Sequence, residues 1–376
     1  MAEHTRVGIS LITGYLGAGK TTVLNRILTA EPGLRAAVIV NDIGEVNVDA
    51  SLIRAGAGEG REVIPLTNGC VCCSLAADLT AQLGELADSG EFDHILIEAS
   101  GVCEPIPIAY AISAICADGA HPGRGRLVLD NIVAVVDCAR MRDEFSLGAG
   151  LMRADLAEDD IEGLLIQQIE FCTTLVLSKT DLVAPGEVRE LRALVRALAP
   201  EAAIVEAAHG DVPLAELIDT GRFDFERAFR SPAWTEAMEH PEEHEEPEVL
   251  EYAISTFVYE RRRPFDTDAF EAVVSSWPAS VIRTKGTVWL DHDPDASYHF
   301  EQAGRQVRLT ENGVFAHALA PAARESLLAE SPGLAERWDP VTGDRMTQLC
   351  LIGRHMDRAS LEAALDACLT AWGDGA

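Results

Sequence analysis

Residues 14–22 read GYLGAGKTT, three glycines that lead directly into a lysine and two threonines. The apolar run VGISLI precedes them at 7–12, and a helical pattern over 20–30 follows. Glycines in this spacing let the backbone curl so that successive N–H groups point to one centre, which also faces the positive end of the following helix. A strand, a glycine-rich loop and a helix in this order build a cradle for phosphate groups.

The residues of this loop are expected to have different roles in binding a nucleotide. In the pattern G-x-x-x-x-G-K-[ST], the lysine reaches the β and γ phosphates of a nucleotide and the next hydroxyl ligates Mg²⁺. We therefore expect Lys20 to act on the phosphates and Thr21 to hold Mg²⁺. A glycine-rich turn without function is the alternative, and the flanking strand and helix argue against it. The predicted nucleotide contacts are Gly14, Gly17, Ala18, Gly19, Lys20, Thr21 and Thr22.

Length and charge narrow the class of protein. A chain of 376 residues suits two domains, and 48% hydrophobic residues are typical of a folded globular protein. The 61 acidic and 30 basic residues give a formal net charge of −31, which disfavours nucleic acid and anionic membranes as partners. No apolar run approaches the roughly 18 residues of a spanning helix, and the start lacks the pattern of a signal peptide. We expect a cytoplasmic protein.

Short apolar runs alternate with helical patterns through the first part of the chain. Runs rich in Val and Ile without polar alternation are typical of a mostly parallel sheet covered by helices on both faces. We predict a doubly wound α/β domain over 1–222, an acidic linker over 223–248 and a smaller α+β domain over 249–376. The predicted strands are 7–12, 36–41, 62–66, 94–98, 131–137, 174–178 and 203–207, then 249–259, 280–290, 297–309 and 346–352 with helices 267–276 and 358–370.

HILIEASG at 94–101 is an apolar strand that ends in a carboxylate and a turn. This is a Walker B pattern with Glu98 in place of the commoner Asp, able to hold Mg²⁺ directly or through water. Gly101 leaves the backbone free to approach the γ-phosphate. The alternative is a strand-end carboxylate that binds no metal. The predicted catalytic residues are Lys20, Glu98 and Gly101.

The second predicted strand leads into NDIGEVNVD, a loop with three acids. We expect Asp42, Glu45 and Asp49 to lie near the γ-phosphate, in a loop that nucleotide and Mg²⁺ order and hydrolysis releases. Asp42 is the predicted Mg²⁺ ligand beside Thr21 and Glu98. For each acid, an ordinary acidic surface loop is the alternative.

LSKTD at 177–181 ends another strand and resembles the N-K-x-D guanine signature of GTPases. Asp181 can accept the ring N–H and the exocyclic amine of guanine, a donor pair that adenine lacks, while the Lys179 stem lies along the base. Ser178 replaces the usual Asn, whose role is mostly to tether the phosphate loop. We therefore expect weaker base affinity with the choice of guanine retained.

TNGCVCCS at 67–74 places three thiols where a helix is predicted to begin. A helix N-terminus favours the thiolate, which is the metal-binding form. Such soft ligands suit Zn²⁺, Cu(I) or an iron–sulfur cluster, and three of them leave a coordination position open, as in a site that holds and releases metal. A redox thiol pair and a structural zinc knuckle are the alternatives. The three thiols are Cys70, Cys72 and Cys73; the other cysteines, expected to be buried apolar residues, are Cys103, Cys116, Cys138, Cys172, Cys350 and Cys368.

Along the chain, the phosphate loop is followed by the C-x-C-C motif, the Walker B strand and the K-x-D base loop. These four motifs in this chain order resemble the CobW-type family of P-loop GTPases (CobW/HypB/UreG, SIMIBI class), whose members are metallochaperones or metal-insertion factors. The resemblance covers nearly the whole chain, because FVYERRRPF, VIRTKGTVWL and DRMTQLCLIG are similar to the family's carboxy-terminal domain. VIVNDIGEVNVDASLI, FDHILIEASGVCEPIPIA and WDPVTGDRMTQ are most similar to its zinc-linked bacterial subgroup.

The resemblance implies a P-loop GTPase that couples GTP and Mg²⁺ to Zn²⁺ at Cys70, Cys72 and Cys73, with Co²⁺ as another metal. GTP binding would close the thiolates around the metal, slow hydrolysis would release it to a client metalloprotein, and the metal would in turn tighten GTP binding. The resemblance also implies a base contact from His209.

Other functions stay open from the sequence. Within the family, the chain would be a cobalt or iron insertion factor that serves a nitrile hydratase or cobalamin metabolism. From other classes, it would be a P-loop small-molecule kinase or a zinc-responsive regulator without turnover. His240 and His244 in the linker suit a loose metal-collecting site or a solvated spacer, and His292 suits a surface turn. The client and the oligomeric state, a homo-oligomer included, are not determined.

Overall fold

The structure is a computed structural model, and it consists of two compact units. One contains a seven-stranded sheet and the other a five-stranded sheet. No helix in the described part of the chain combines the length and apolar character needed to cross a membrane. The described residues are 6–30, 34–40, 62–65, 75–117, 127–145, 147, 161–225, 253–278, 280–303 and 306–370.

The seven-stranded sheet is parallel throughout, in the order β3-β2-β4-β1-β5-β6-β7. Its central strands are buried at every position or nearly so, which explains why their sequences are continuous apolar runs. The prediction of a doubly wound parallel sheet is confirmed. The strands are β1 (Val7–Thr13), β2 (Ala36–Val40), β3 (Glu62–Pro65), β4 (His94–Glu98), β5 (Leu127–Asp137), β6 (Thr174–Ser178) and β7 (Ala203–Ala207).

The strand order reverses at β1, with β2, β3 and β4 on one side and β5, β6 and β7 on the other. In an open α/β sheet such a reversal leaves a crevice at the carboxyl ends of the strands, where ligands bind. Residues 14–19 follow β1 into this crevice. The helices are α1 (Lys20–Ala30), α2 (Leu75–Ser89), α3 (Pro105–Ala117), α4 (Cys138–Asp143), α5 (Ile161–Glu170) and α6 (Pro185–Leu198).

Helix α1 is fixed on the sheet by its apolar stripe. Val23, Leu24, Ile27 and Leu28 recur at helical spacing and are almost fully buried in one cluster with strand residues such as Val38. Each such side chain contributes about 1.5–3 kcal/mol relative to an exposed one. The start of the helix, which follows the glycine-rich loop, is therefore held in place by the core beneath it.

A buried polar group sits among the strands around His94, the first residue of β4. The Ser10 hydroxyl donates to the Leu217 carbonyl at 2.8 Å and lies 2.9 Å from His94 Nε2. Because the hydroxyl has one proton and donates it to Leu217, His94 Nε2 must carry a proton and donate to Ser10; in the neutral imidazole, Nδ1 is then the unprotonated nitrogen. That Nδ1 lies 3.7 Å from Asp219 Oδ1.

His94 predicts a pH dependence of stability. Burial lowers the pKa of His94, opposed by the nearby carboxylates of Asp219 and Asp130. Below the unfolded value of 6.5, the unfolded chain therefore binds a proton that the folded chain does not. The stabilisation is complete above that pH and is lost as the pH falls toward the folded-state pKa. We expect the free energy of unfolding from urea titrations to fall between about pH 7 and about pH 5.

The variant His94→Gln keeps a donor toward Ser10 but does not titrate. It should be less stable than the wild type near neutral pH and lose less stability on acidification. His292→Gln, a change at an exposed histidine of the other unit, is the control and should keep the wild-type pH dependence. An unchanged dependence in His94→Gln would contradict this interpretation.

The five-stranded sheet is antiparallel, in the order β11-β10-β9-β12-β8. Its core contains stacked aromatic rings, with the Phe265 and Phe270 centroids 4.8 Å apart and the Phe270 and Phe300 centroids 5.3 Å apart. The predicted α+β class is confirmed. The elements are β8 (Ile254–Arg261), α7 (Thr267–Ser275), β9 (Val281–Val288), β10 (Ala296–Ala303), β11 (Gln306–Val314), α8 (Pro321–Glu330), α9 (Pro332–Glu336), β12 (Thr347–Arg354) and α10 (Arg358–Asp366).

One predicted strand in this unit is wrong. The sequence predicted a single strand over 297–309, whereas the chain forms β10 and β11, which pair antiparallel with Ala303 opposite Gln306. Gly304 was the available turn signal. His292, predicted to be a surface turn residue, is exposed, and its Nδ1 lies 2.8 Å from the Thr267 hydroxyl.

Most of the isolated cysteines are buried free thiols, as predicted. Burial raises the pKa of Cys116 to about 11 and those of Cys138 and Cys172 to about 12, although Cys116 itself is only partly buried. These thiols stay protonated near neutral pH and are poor nucleophiles and metal ligands. The buried ones are Cys103, Cys138, Cys172, Cys350 and Cys368.

Candidate nucleotide-binding site

The glycine-rich loop has the backbone conformation that its sequence predicts. Gly14, Gly17 and Gly19 have φ values of 137°, 74° and 105°, a region that other residues rarely adopt. At Gly14 there is also no room for a side chain, because a Cβ would lie 2.3 Å from the Val135 carbonyl oxygen of the neighbouring strand. The loop therefore requires glycine for both conformation and close approach.

The carbonyl groups of the loop accept hydrogen bonds from the loop itself and from three other parts of the domain. Each carbonyl from residue 14 to 18 accepts a hydrogen bond, and the Tyr15 carbonyl accepts from the Ala18 N–H at 3.1 Å. Satisfying these groups fixes the peptide planes, and therefore the direction of the N–H groups available to a phosphate. The other four carbonyls accept from side chains, in bonds that run from Lys20 Nζ to Gly14 O (2.9 Å), Arg140 Nη1 to Leu16 O (2.6 Å), Lys179 Nζ to Gly17 O (2.9 Å) and Ser178 Oγ to Ala18 O (2.6 Å).

Thr21 and Glu98 lie together beside the loop, as the sequence predicted. The Thr21 hydroxyl is 3.1 and 3.5 Å from the two carboxylate oxygens of Glu98, and Glu98 is only 3% exposed. A hydroxyl and a carboxylate are the hard oxygen ligands that Mg²⁺ takes, so these residues fit the ion. When bound, Mg²⁺ would neutralise charge on the β and γ phosphates. Asp42, the third predicted ligand, lies outside the described residues.

Gly101 contacts the phosphate loop itself. A Cβ at this position would lie 2.5 Å from the Leu16 backbone nitrogen and 2.9 Å from its Cα. The turn after β4 therefore packs directly against the backbone of Leu16. This contact is sufficient to require glycine at position 101, and the approach of Gly101 to a γ-phosphate stays a prediction.

The predicted base-binding residues meet at the carboxyl ends of β6 and β7. Asp181 Oδ2 lies 3.6 Å from His209 Nε2, and the His209 side chain is largely exposed. Lys179 adopts a left-handed conformation with φ of 57°, and its ammonium lies 2.5 Å from Asp137 Oδ2. The structure thus brings His209, which follows β7, next to Asp181 of the K-x-D loop that follows β6.

Ser178 retains the tether to the phosphate loop. Its hydroxyl lies 2.6 Å from the Ala18 carbonyl and 3.1 Å from the Val136 carbonyl, so its one proton has two acceptors. The sequence led us to expect weaker base affinity, because the usual Asn serves mostly to tether the phosphate loop. The hydroxyl reaches Ala18 nonetheless, and the effect of Ser178 on base affinity stays a prediction.

Three residues in α4 or directly before it were missed by the sequence analysis. Asp137 caps the helix by accepting the Arg140 N–H at 3.1 Å, and it also binds Lys179. Arg140 binds the phosphate loop, and Arg142 Nη1 donates to the Leu182 carbonyl of the base loop at 2.7 Å. An acid at the end of a parallel strand in VAVVD was the available signal, because strand ends form the site.

Several predicted site residues lie outside the described residues. In the described ranges, no group of three or more His, Cys, Asp or Glu side chains is arranged to hold a metal ion. The linker beyond residue 225 is likewise not described. The residues concerned are Cys70, Cys72 and Cys73, the acids Asp42, Glu45 and Asp49, and the linker residues His240 and His244.

Both halves of the chain match known protein families. Residues 8–206 match the CobW/HypB/UreG nucleotide-binding domain, and residues 254–369 match the cobalamin synthesis protein CobW C-terminal domain. The chain belongs to the CobW/HypB/UreG family. The resemblance identified from the motifs is thereby confirmed, as is the class of nucleotide-binding protein.

Relatives of this CobW-family chain match it over most of its length. The zinc-regulated GTPase metalloprotein activator 1 of Dictyostelium discoideum is 32% identical, covering 97% of this chain and 80% of its own. The zinc chaperone CobW of a Sinorhizobium species is 29% identical, covering 97% and 98%. A crystal structure of Zn(II)-bound YjiA GTPase from E. coli covers 97% of this chain and 100% of its own, with 21% identity and a TM-score of 0.43.

Proposed function

We propose that this chain is a GTP-dependent zinc metallochaperone that holds Zn²⁺ at Cys70, Cys72 and Cys73 and transfers it to a client metalloprotein. The observation that carries the proposal is that the phosphate-binding and base-binding parts of a nucleotide site lie together in a CobW-family domain. The Thr21–Glu98 pair lies at the phosphate loop, and Asp181 lies at the base loop, while Lys179 binds the Gly17 carbonyl and so links the two loops. A cytoplasmic location stays a prediction.

Guanine is the base that this site fits best. The Asp181 carboxylate has only acceptors, and its partly exposed side chain lies 3.6 Å from the largely exposed His209 imidazole. Guanine offers two adjacent N–H donors to such a carboxylate, and adenine does not. A small-molecule kinase would share the phosphate loop but would give neither the K-x-D loop nor the C-x-C-C motif a role.

Zinc is the proposed cargo because of the ligand chemistry and the relatives. Three thiolates are soft ligands that suit Zn²⁺, and two relatives over almost the full chain are named a zinc chaperone and a zinc-regulated activator. Mg²⁺ is the proposed resident ion, held by Thr21, Asp42 and Glu98. Its role is separate from that of the cargo, because hard oxygen ligands select it.

The proposal requires that nucleotide and zinc affinities be coupled. A ligand shifts a conformational equilibrium only through its different affinities for the two states. If GTP favours the closed thiolate site, zinc must tighten GTP binding by the same factor. Hydrolysis then removes the γ-phosphate and with it the preference for the closed state.

The test is to measure Zn²⁺ affinity by competition with a chromophoric chelator, with Mg²⁺ and either GDP or a non-hydrolysable GTP analogue. We expect at least about tenfold tighter zinc binding with the analogue, the usual size of such coupling. The double variant Cys72→Ser/Cys73→Ser is the control and should lose this difference while still binding nucleotide. Equal zinc affinities in the two nucleotide states would refute the coupling.

The same protein can be tested for the competing functions. Phosphate release should occur with GTP and much less with ATP, and the released phosphate should account for all GTP consumed. A kinase would instead transfer phosphate to an acceptor other than water. Competition between Zn²⁺ and Co²⁺ would identify the preferred cargo, with allowance for the intrinsic order of metal affinities.

A further inference from the structure

Helix α4 contacts both the phosphate loop and the base loop through two arginines. Arg140 donates to the Leu16 carbonyl at 2.6 Å, and Arg142 donates to the Leu182 carbonyl at 2.7 Å. The two side chains are similarly exposed, at 30% and 32%. One short helix therefore holds two separate parts of the nucleotide site with the same type of side chain.

The helix itself is firmly held. Cys138 and Met141 are buried at 0% and 1% exposure. The Asp137 carboxylate accepts the Arg140 N–H at 3.1 Å at one end, and the Glu144 N–H donates to the Arg140 carbonyl at 2.8 Å at the other. Side chains that project from such a helix have fixed starting points, so their contacts can set the position of the loops.

Arg140 is constrained by three contacts of its own. Its guanidinium carbon lies 4.9 Å from the centroid of the Tyr15 ring, within the range of a cation–π interaction. Its Nε binds Glu144 Oε1 at 3.0 Å, while Nη1 binds the Leu16 carbonyl. A planar guanidinium that is stacked and hydrogen-bonded in this way has little freedom to reorient.

Leu16 is fixed on its other side by the Walker B turn. The Leu16 backbone nitrogen and Cα touch Gly101, as the absence of space for a Cβ there shows. Gly101 follows Glu98 by three residues, and Glu98 contacts Thr21, the predicted Mg²⁺ ligand. An Mg²⁺ ion held by Thr21 and Glu98 would neutralise charge on the β and γ phosphates, so this turn and Leu16 would lie toward the γ-phosphate end of a bound triphosphate.

We infer that Arg140 is a positioning residue that sets the γ-phosphate end of the phosphate loop, and so favours the triphosphate over the diphosphate. The inference rests on the proposed function, because it takes GTP as the ligand. Arg140 acts through the Leu16 carbonyl, without touching the nucleotide. Arg142 acts on the base loop, which GTP and GDP engage alike.

This division of roles gives a matched pair of variants. Dissociation constants for GDP and for a non-hydrolysable GTP analogue are measured with Mg²⁺ by fluorescence titration. We expect Arg140→Ala to weaken the analogue about tenfold more than GDP, the size of one lost charge-assisted hydrogen bond. Arg142→Ala should weaken both nucleotides by the same factor. Arg140→Lys keeps a donor but loses the planar stack, and should fall between the wild type and Arg140→Ala.

The ratio of the two affinities separates positioning from a merely structural role. Equal weakening of both nucleotides in Arg140→Ala would overturn the inference, as would an equally large change of the ratio in Arg142→Ala. Circular dichroism and thermal unfolding report whether each variant folds. If Arg140→Ala does not fold, Arg140→Lys decides by whether its ratio falls or stays at the wild-type value. Failure of the wild type to bind either nucleotide would refute the proposed function itself.

Discussion

Glu98→Gln is expected to slow GTP hydrolysis by about a hundredfold, the usual cost of removing one group that stabilises charge in the transition state. Glutamine has nearly the shape of glutamate, and its amide oxygen can still accept the Thr21 hydroxyl, which lies 3.1 Å from the carboxylate. The substitution therefore removes negative charge and leaves the packing at the end of β4. The lost charge is the one that would hold Mg²⁺ beside the phosphates.

Two measurements check this prediction. Phosphate release at saturating GTP gives the rate, and binding of a non-hydrolysable GTP analogue over a range of Mg²⁺ concentrations gives the ion dependence. We expect Glu98→Gln to need more Mg²⁺ for the same affinity. Glu91→Gln, the same change at an exposed position just before β4, is the control and should behave like the wild type. A rate within about threefold of the wild type would contradict a role for the Glu98 charge.

The sequence predicted those parts of the site that are contiguous in the chain. The loop GYLGAGKTT and the strand end HILIE each carry a full local pattern, because backbone conformation and strand burial leave their mark on neighbouring residues. Thr21 and Glu98 are far apart in sequence, yet their meeting was predictable, since parallel strands present their carboxyl ends at one edge.

Contacts made by single side chains could not be predicted in this way. Arg140 and Arg142 lie in CARMRD, a pattern that is equally typical of a solvated helix face. Only the tertiary structure shows that each reaches a loop carbonyl. Ser178 is a further example, because the usual Asn is absent and only the structure shows that the hydroxyl still donates to the Ala18 carbonyl. Such contacts depend on distances between elements, which local sequence does not encode.

Hydrogen bonds between polar residues within strands could not be predicted from the sequence either. Ser10 and His94 stand in runs that were predicted simply as buried strands, and their pairing appears only in the register of β1 against β4. The division of the predicted strand over 297–309 into β10 and β11 has a related cause. Both halves have strand-forming residues, so the sequence pattern shows no break between the two strands.

Asp181→Asn should weaken GTP binding by about a hundredfold and convert the preference from GTP to xanthosine triphosphate. The carboxylate can accept both the ring N–H and the exocyclic amine of guanine, whereas an amide offers one acceptor and turns a donor toward the other N–H. Xanthine has a carbonyl where guanine has the amine, so it can accept from the new amide. One charge-assisted hydrogen bond, of about 1.5–3 kcal/mol, is lost, and the bond that remains no longer has a charged acceptor.

The experiment is a competition titration of GTP, ATP and xanthosine triphosphate against a fluorescent nucleotide, for wild type and variant. Asp211→Asn is the matched control. Asp211 is an exposed acid two residues after His209, and its carboxylate pairs with Arg26. It should keep the wild-type order of affinities. If Asp181→Asn lost GTP and xanthosine triphosphate alike, the carboxylate would be holding the base loop together, and the guanine would have to be selected by another group. If it kept full GTP affinity, Asp181 would not contact the base at all.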